Sequence, residues 1–249
     1  MSRSFPFIRL LLAAALLLPA AGRAQTWPSC KPCMPGSFDS IEISGSANVR
    51  FTQGSSDQVT IEGDEETSKS VELEVRGGVL YVRPSGSWKF WSSRRAQLDI
   101  TARELRRVVI PGAADLVAMQ PVQCQKLDVQ ISGAGLARFD KLQAGSVRFQ
   151  VSGAGDGQMA GTVQELQIEL SGRGEFRGEN LKSERARVQV SGIGEVQVWV
   201  TQWLGVGVSG VGTVDYWGSP QVQRRTGGIA RVHDRGPKTA PTPTPSTPP

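Results

Sequence analysis

Over the second half of the chain, apolar and polar residues alternate in runs that all end the same way. Directly before the ends stand Ile131, Val151, Leu170, Val190 and Val208. Two positions earlier are Val129, Phe149, Ile168, Val188 and Val206, and two earlier again Leu127, Val147, Leu166, Ala186 and Leu204. Between them lie Asp128, Arg148, Gln167, Arg187 and Gly205, then Gln130, Gln150, Glu169, Gln189 and Gly207. A period of two predicts strands with one buried and one wet face. Each run closes on Ser-Gly-x-Gly, at residues 132–135, 152–155, 171–174, 191–194 and 209–212, so successive serines lie 20, 19, 20 and 18 residues apart.

A second alternation follows each frame, with Ala137, Gly157, Phe176, Val196 and Val214 in one column and Phe139, Met159, Gly178, Val198 and Tyr216 in the next. A third short apolar stretch, at Leu142, Val163, Leu181 and Trp203, leads into the following copy. Short strands repeating every ~20 residues, with no helical periodicity, predict the coils of a parallel β-helix. The glycines mark a corner that needs either positive φ or close approach to the coil above. Serine before glycine is expected to bond local backbone.

Upstream, Pro111-Gly112-Ala113-Ala114-Asp115 reads as a degenerate first copy, and residues 38–110 as strands of irregular length. The predicted organisation is a β-helical domain over 37–236. Within it, 37–110 is irregular β, 111–220 is regular repeat and 221–236 is a C-terminal cap. Residues 1–24 have Arg3 and Arg9, an apolar run from Leu10 to Leu18 and a small-residue exit at Ala24, the form of a signal peptide. A Cys/Pro-containing linker (25–36) follows, and a Pro/Thr-rich tail (237–249) is expected to be disordered.

Composition narrows the function classes. The formal charge of +5 includes Arg3, Arg9 and Arg23, so cleavage leaves 25 basic against 23 acidic residues, or +2. That balance argues against a nucleic-acid partner, which calls for a concentrated basic face. No transmembrane segment is expected after signal cleavage. In an exported protein the three cysteines are candidates for bonding. Cys30 and Cys33 form the candidate pair, although either could instead reach Cys124.

Two constellations could carry binding chemistry. The position after the second glycine holds Leu136, Asp156, Glu175, Glu195 and Thr213. Stacked in register, Asp156, Glu175 and Glu195 would form a line of carboxylates that calcium could bridge. Solvated acids capping corner N–H groups are the plainer expectation. The line offers no two carboxylates in unlike surroundings, as glycoside hydrolysis requires. No catalytic residue is therefore assigned, with a polysaccharide-cleaving enzyme kept as the alternative. The second constellation is a Gly/Ser-bounded loop holding Trp88, Lys89, Phe90, Trp91, Arg94 and Arg95, whose rings and cations suit sugar stacking and acidic groups. The sole histidine, His233, is expected to be an exposed terminal residue, and Trp199, Trp203, Tyr216 and Trp217 to plug the end of the coil stack.

The whole pattern resembles the secreted bacterial family of head GIN domains, the head domains of autotransporter adhesins. The carriers are Phe38-x-x-Ile41-x-Ile43-x-Gly45, Gly63-Asp64, Gly78-x-Leu80-Tyr81-Val82, residues 111–115, the Ser-Gly-x-Gly series and Tyr216-x-Gly218-x-Pro220. The resemblance implies an exported, right-handed, single-stranded parallel β-helix. Leu136 and Thr213 depart from the acidic position after the frame, so no unbroken acidic column carries over. The resulting expectation is a non-enzymatic module in the periplasm, at the outer surface or outside the cell. Its expected partner is an envelope glycan, lipopolysaccharide or a surface protein; a purely structural envelope assembly protein is a further alternative.

Overall fold

The computed structural model describes residues 33–63, 68–85 and 95–238. The signal-like segment and most of the tail lie outside that range. Among the described residues nearly everything is strand. Two sheets of coils stack along one axis, joined at the Ser-Gly corners.

The pre-corner sheet begins with β4 (Val71–Arg76) and β5 (Val79–Pro84), then β1 (Ser40–Ile43), β7 (Arg107–Ile110) and β9 (Val122–Ile131). The post-corner sheet begins with β3 (Gln58–Glu62) and β6 (Ala96–Ala102), then β2 (Ser46–Gln53) and β8 (Ala113–Ala118). From there single long strands serve both sheets: β10 (Ala134–Val151), β11 (Ala154–Leu170), β12 (Arg173–Val190) and β13 (Ile193–Val208). In β10, residues 134–139 pair with β8 and 142–151 with β9, and a bulge marks the bend between them. β14 (Val211–Trp217) and β16 (Ile229–Asp234) finish the post-corner sheet, and β15 (Gln221–Thr226) finishes the other. All these pairings are parallel except β3 with β6 and β4 with β5. The architecture is a parallel β-solenoid, as the repeat predicts.

The alternating columns fill the interior as expected. Ile131, Val151, Leu170, Val190 and Val208 are all buried, and so are the two apolar columns before them. Large and small residues compensate between coils. The Phe149 and Phe176 rings sit 5.1 Å apart, and a Cβ on Gly157 would lie 2.7–2.8 Å from both. Burying each ring contributes roughly 1.5–3 kcal/mol.

The corner glycines answer to close approach, since positive φ is found only at other glycines. A Cβ on Gly133, Gly153, Gly172, Gly192 or Gly210 would lie 1.9–2.1 Å from the carbonyl oxygen of the equivalent glycine one coil below. The column extends beyond the repeat, to Gly112 and Gly45 at one end and Gly228 at the other. Each following residue donates its N–H to the same carbonyl, as Ala154 does to Gly133 (2.8 Å) and Arg173 to Gly153 (2.9 Å). Residues 38–53 are thus a full coil with its own corner at Ser44-Gly45, stacked under Pro111-Gly112. Residues 54–106 are an excursion that lays β3–β6 below it.

Two local expectations fail. The corner serines face solvent, and only Ser171 bonds backbone, its Oγ donating to the Val151 carbonyl (3.1 Å). The third apolar stretch is not one column. Leu142 aligns with Gly161 and Leu181, Val163 with Ala144 and Ser183, and Trp203 with Arg185. Register shifts between Gln158 and Ala160 and between Gly178 and Lys182 move these positions past one another.

Candidate functional site

The outward residues of the post-corner sheet satisfy one another. Asp156 and Glu175 lie on adjacent coils and Glu175 is paired in register with Glu195, as the repeat predicts. Their oxygens are engaged, however. Asp156 Oδ1 accepts the Glu175 backbone N–H (2.9 Å), both Glu175 oxygens accept from Arg177 (2.6 Å each), and Glu195 accepts from Gln197 (3.0 Å). Asp115 likewise caps the Leu136 N–H (3.1 Å). Among the described residues no cluster of three or more His, Cys, Asp or Glu is arranged to hold a metal ion. Asp156 and Asp115 thus cap backbone amides of the next coil, whereas Glu175 and Glu195 bind side chains of their own strands.

At the last coil the same face carries an ion-pair cluster. Asp215 accepts from Arg235 Nη2 (2.7 Å) and lies 2.9 Å from His233 Nδ1. Burial of Asp215 acts to raise its pKa, but the bonds from Arg235 and His233 outweigh it and hold the carboxyl below its ordinary range. His233 is exposed near the end of the described residues, as expected, and it also lies against Asp215. The two are 18 residues apart, one coil, so the repeat period itself was the signal that would have paired them.

The pre-corner sheet is different. Over β9–β12 its outward side chains form a shallow groove of about 520 Å³, edged by Ser132, Ser152, Ser171 and Ser191. Its floor holds amides around one acid: Gln150 and Gln167 both donate to Glu169 (2.7 and 2.5 Å), and from outside the groove Arg148 donates to Gln167 (3.1 Å). A second hollow of about 550 Å³ shares Arg187 and Gln189 with the first and extends over β13 and β15. A third, of about 390 Å³, adjoins it at Arg187 and Trp203.

Trp203 is therefore not an end plug. It precedes the buried Leu204, so alternation turns it outward, and it lies half-buried along its own strand. A Cβ on Gly205 would meet its Cη2 at 2.4 Å. Trp199 and Tyr216 are buried, and Lys238 Nζ stands 5.5 and 5.4 Å from the Trp199 and Trp217 rings. The signal for this placement is the parity of Trp203 with the inward Leu204.

Of the candidate loop, Trp88, Lys89, Phe90, Trp91 and Arg94 lie outside the described residues. Arg95 is described, and it is tied down: Nη1 pairs with Asp115 and reaches Asn48 Oδ1 (3.2 Å). Cys33 is disulfide-bonded and buried, and it exchanges backbone hydrogen bonds with Val59 (2.8 and 3.0 Å). Cys30 lies outside the described residues. Cys124 is a free thiol, which removes the pairings that used it, and burial raises its pKa to about 11.

Residues 37–220 match the family model described as "Putative auto-transporter adhesin, head GIN domain". Among solved structures, a putative adhesin from Bacteroides fragilis aligns with TM-score 0.78 at 21% identity, over 86% of this chain and 98% of that one. A putative adhesin from Parabacteroides merdae gives 0.65 at 19% identity, over 86% and 97%. A putative lipid binding protein from Parabacteroides distasonis gives 0.62 at 20%, over 86% and 97%. At these identities the likeness is one of fold. No curated protein matches the chain.

Proposed function

The chain belongs to the head GIN domain family, and on that premise we propose that it is an exported, non-enzymatic binding module of the cell envelope that takes up a glycan on its pre-corner face. The observation that carries this reading is the run of open hollows over β9–β13, lined by amides, hydroxyls, guanidinium groups and the Glu169 carboxylate and rooted in a paired sheet. Such a surface offers many directed hydrogen bonds to a hydroxyl-rich chain at little ordering cost. The adhesin description of the family agrees with a surface-binding role. The acids of the post-corner column cap amides and pair with arginine, which suits a structural role better than glycoside cleavage.

The test is a glycan array probed with the purified protein, followed by reducing-end analysis of every glycan it retains. Binding without cleavage is expected. Retention of nothing on the array, together with uptake by lipid vesicles, would replace this reading with a lipid-binding one; cleavage products would replace it with an enzymatic one.

A further inference from the structure

The second hollow has a chemistry of its own. On the coils before it, the two outward positions ahead of the corner carry Asp128 and Gln130, Arg148 and Gln150, Gln167 and Glu169, then Arg187 and Gln189. On β13 they are Gly205 and Gly207, flanked in register by Arg187 and Gln223 and by Gln189 and Arg225. Neither glycine has positive φ, so the backbone does not demand them. Glycine inside a paired strand weakens it and marks a place where something approaches closely. Here the Trp203 ring covers Gly205, and the Gln189 amide leans over Gly207, whose Cβ would lie 2.9 Å from Oε1. The result is a low floor with one flat indole laid along it and a hollow on either side.

The charge of this hollow is uncompensated, although Arg148, Arg173, Arg185, Arg224 and Arg231 also stand without a carboxylate within 4.0 Å among the described residues. Ten arginines elsewhere stand within 4.0 Å of a carboxylate. Arg187 and Arg225 have no such partner among the described residues, and no acid lines the hollow they share. The Arg187 guanidinium lies over the Trp203 ring, 5.8 Å from its centroid, in a loose cation–π contact that an incoming carboxylate can share.

We propose that Trp203, Arg187 and Arg225 form a subsite for a uronic-acid residue of an acidic polysaccharide, its ring stacked on the indole and its carboxylate held by the guanidinium groups. The inference rests on the glycan-binding reading above and narrows it. A pyranose offers an apolar C–H face to the indole. A uronate carries its carboxylate directly on the sugar ring, so a stacked ring sets the charge level with Arg187. The planar guanidinium matches a carboxylate through two parallel hydrogen bonds. Gln189, Gln223 and Ser209 remain for the hydroxyls.

The experiment is calorimetric titration of the purified protein with oligogalacturonate, with the same oligomer after carboxyl reduction, and with anionic phospholipid vesicles. The variants are Trp203→Ala, Arg187→Gln and, on the opposite face, Arg177→Gln. Each loss at the subsite should weaken oligogalacturonate binding about tenfold or more, as should carboxyl reduction, whereas Arg177→Gln should bind like wild type. Circular dichroism confirms that the variants keep the fold, and Arg187→Gln serves alone where Trp203→Ala does not. Equal affinity for the reduced oligomer overturns the proposal, as does undiminished binding by Trp203→Ala and Arg187→Gln. If the array shows glycan retention but these variants are silent, the subsite is wrong and the broader reading stands. Binding to vesicles alone removes both.

Discussion

The two faces of this solenoid come from one repeat, and they differ in how far their polar groups satisfy one another. On the post-corner face, Glu175 is matched by Arg177, Arg138 by Asp140, and Asp215 by Arg235 and His233. On the pre-corner face the polar network thins toward the last coils, and at β13 it gives way to two glycines, a flat indole and two unpaired guanidinium groups. The face with the more regular pattern is the one with its chemistry already spent. Repetition alone therefore does not make a site; the leftover hydrogen-bonding and charge capacity does.

The hardest blow to the comparison is one that strikes both faces. Gly172→Ala puts a Cβ 1.9 Å from the Gly153 oxygen, so the corner must open. A loss of more than about 4 kcal/mol is expected in urea unfolding. Gly227→Ala, at a position with nothing within 4 Å, should shift stability by less than about 0.5 kcal/mol. Comparable losses from the two would refute the stacking account.

A smaller effect isolates the spent face. Asp215→Asn should cost about 1–2 kcal/mol near neutrality, because it breaks a charge-assisted pair that is half open to solvent. The folded carboxyl titrates below its unfolded value of about 3.9. Its contribution is therefore complete above that pH and fades as the pH falls through the folded value. Unfolding curves of wild type and variant should converge in acid, and a constant gap down to strongly acid pH would remove Asp215 as the source.

Smaller still, Arg177→Gln and Arg187→Gln should each change stability by less than about 1 kcal/mol. Only the second should alter ligand uptake, so loss of uptake from Arg177→Gln would erase the distinction between the faces. Last, with its pKa near 11, the Cys124 thiol should react with iodoacetamide at pH 8 far more slowly than free cysteine. Labelling as fast as the free thiol would contradict its half-buried setting.

The columns of the core and the corner frame were legible because alternation and a fixed period are direct imprints of stacking. The first coil was not. Its corner, Ser44-Gly45, lacks a second glycine, and the 54–106 excursion separates it from its neighbour Gly112, so no period links them. The outward glycines of β13 were visible as Gly205 and Gly207, yet they read as gaps in a polar column. Their meaning depends on Trp203 folding back over one of them, and a side-chain direction along the strand leaves no mark in a pattern of hydrophobicity. The serines misled for a related reason. A hydroxyl beside a turn usually bonds locally, but here the corner amides are already taken by the carbonyls of the coil below.

The glycine column also governs how such a protein can change length. Gly153 meets Gly133 below and Gly172 above, and each of those meets its own neighbours in the same way. A coil therefore presents the same corner upward as downward, and its fit depends little on which copy it touches. Insertion or loss of one whole coil keeps every corner matched, whereas a change of a few residues within a coil puts a side chain where only a hydrogen fits. The natural unit of variation is the coil, so a lineage could lengthen or shorten its polar face rung by rung while leaving the rings and cations at its end in place.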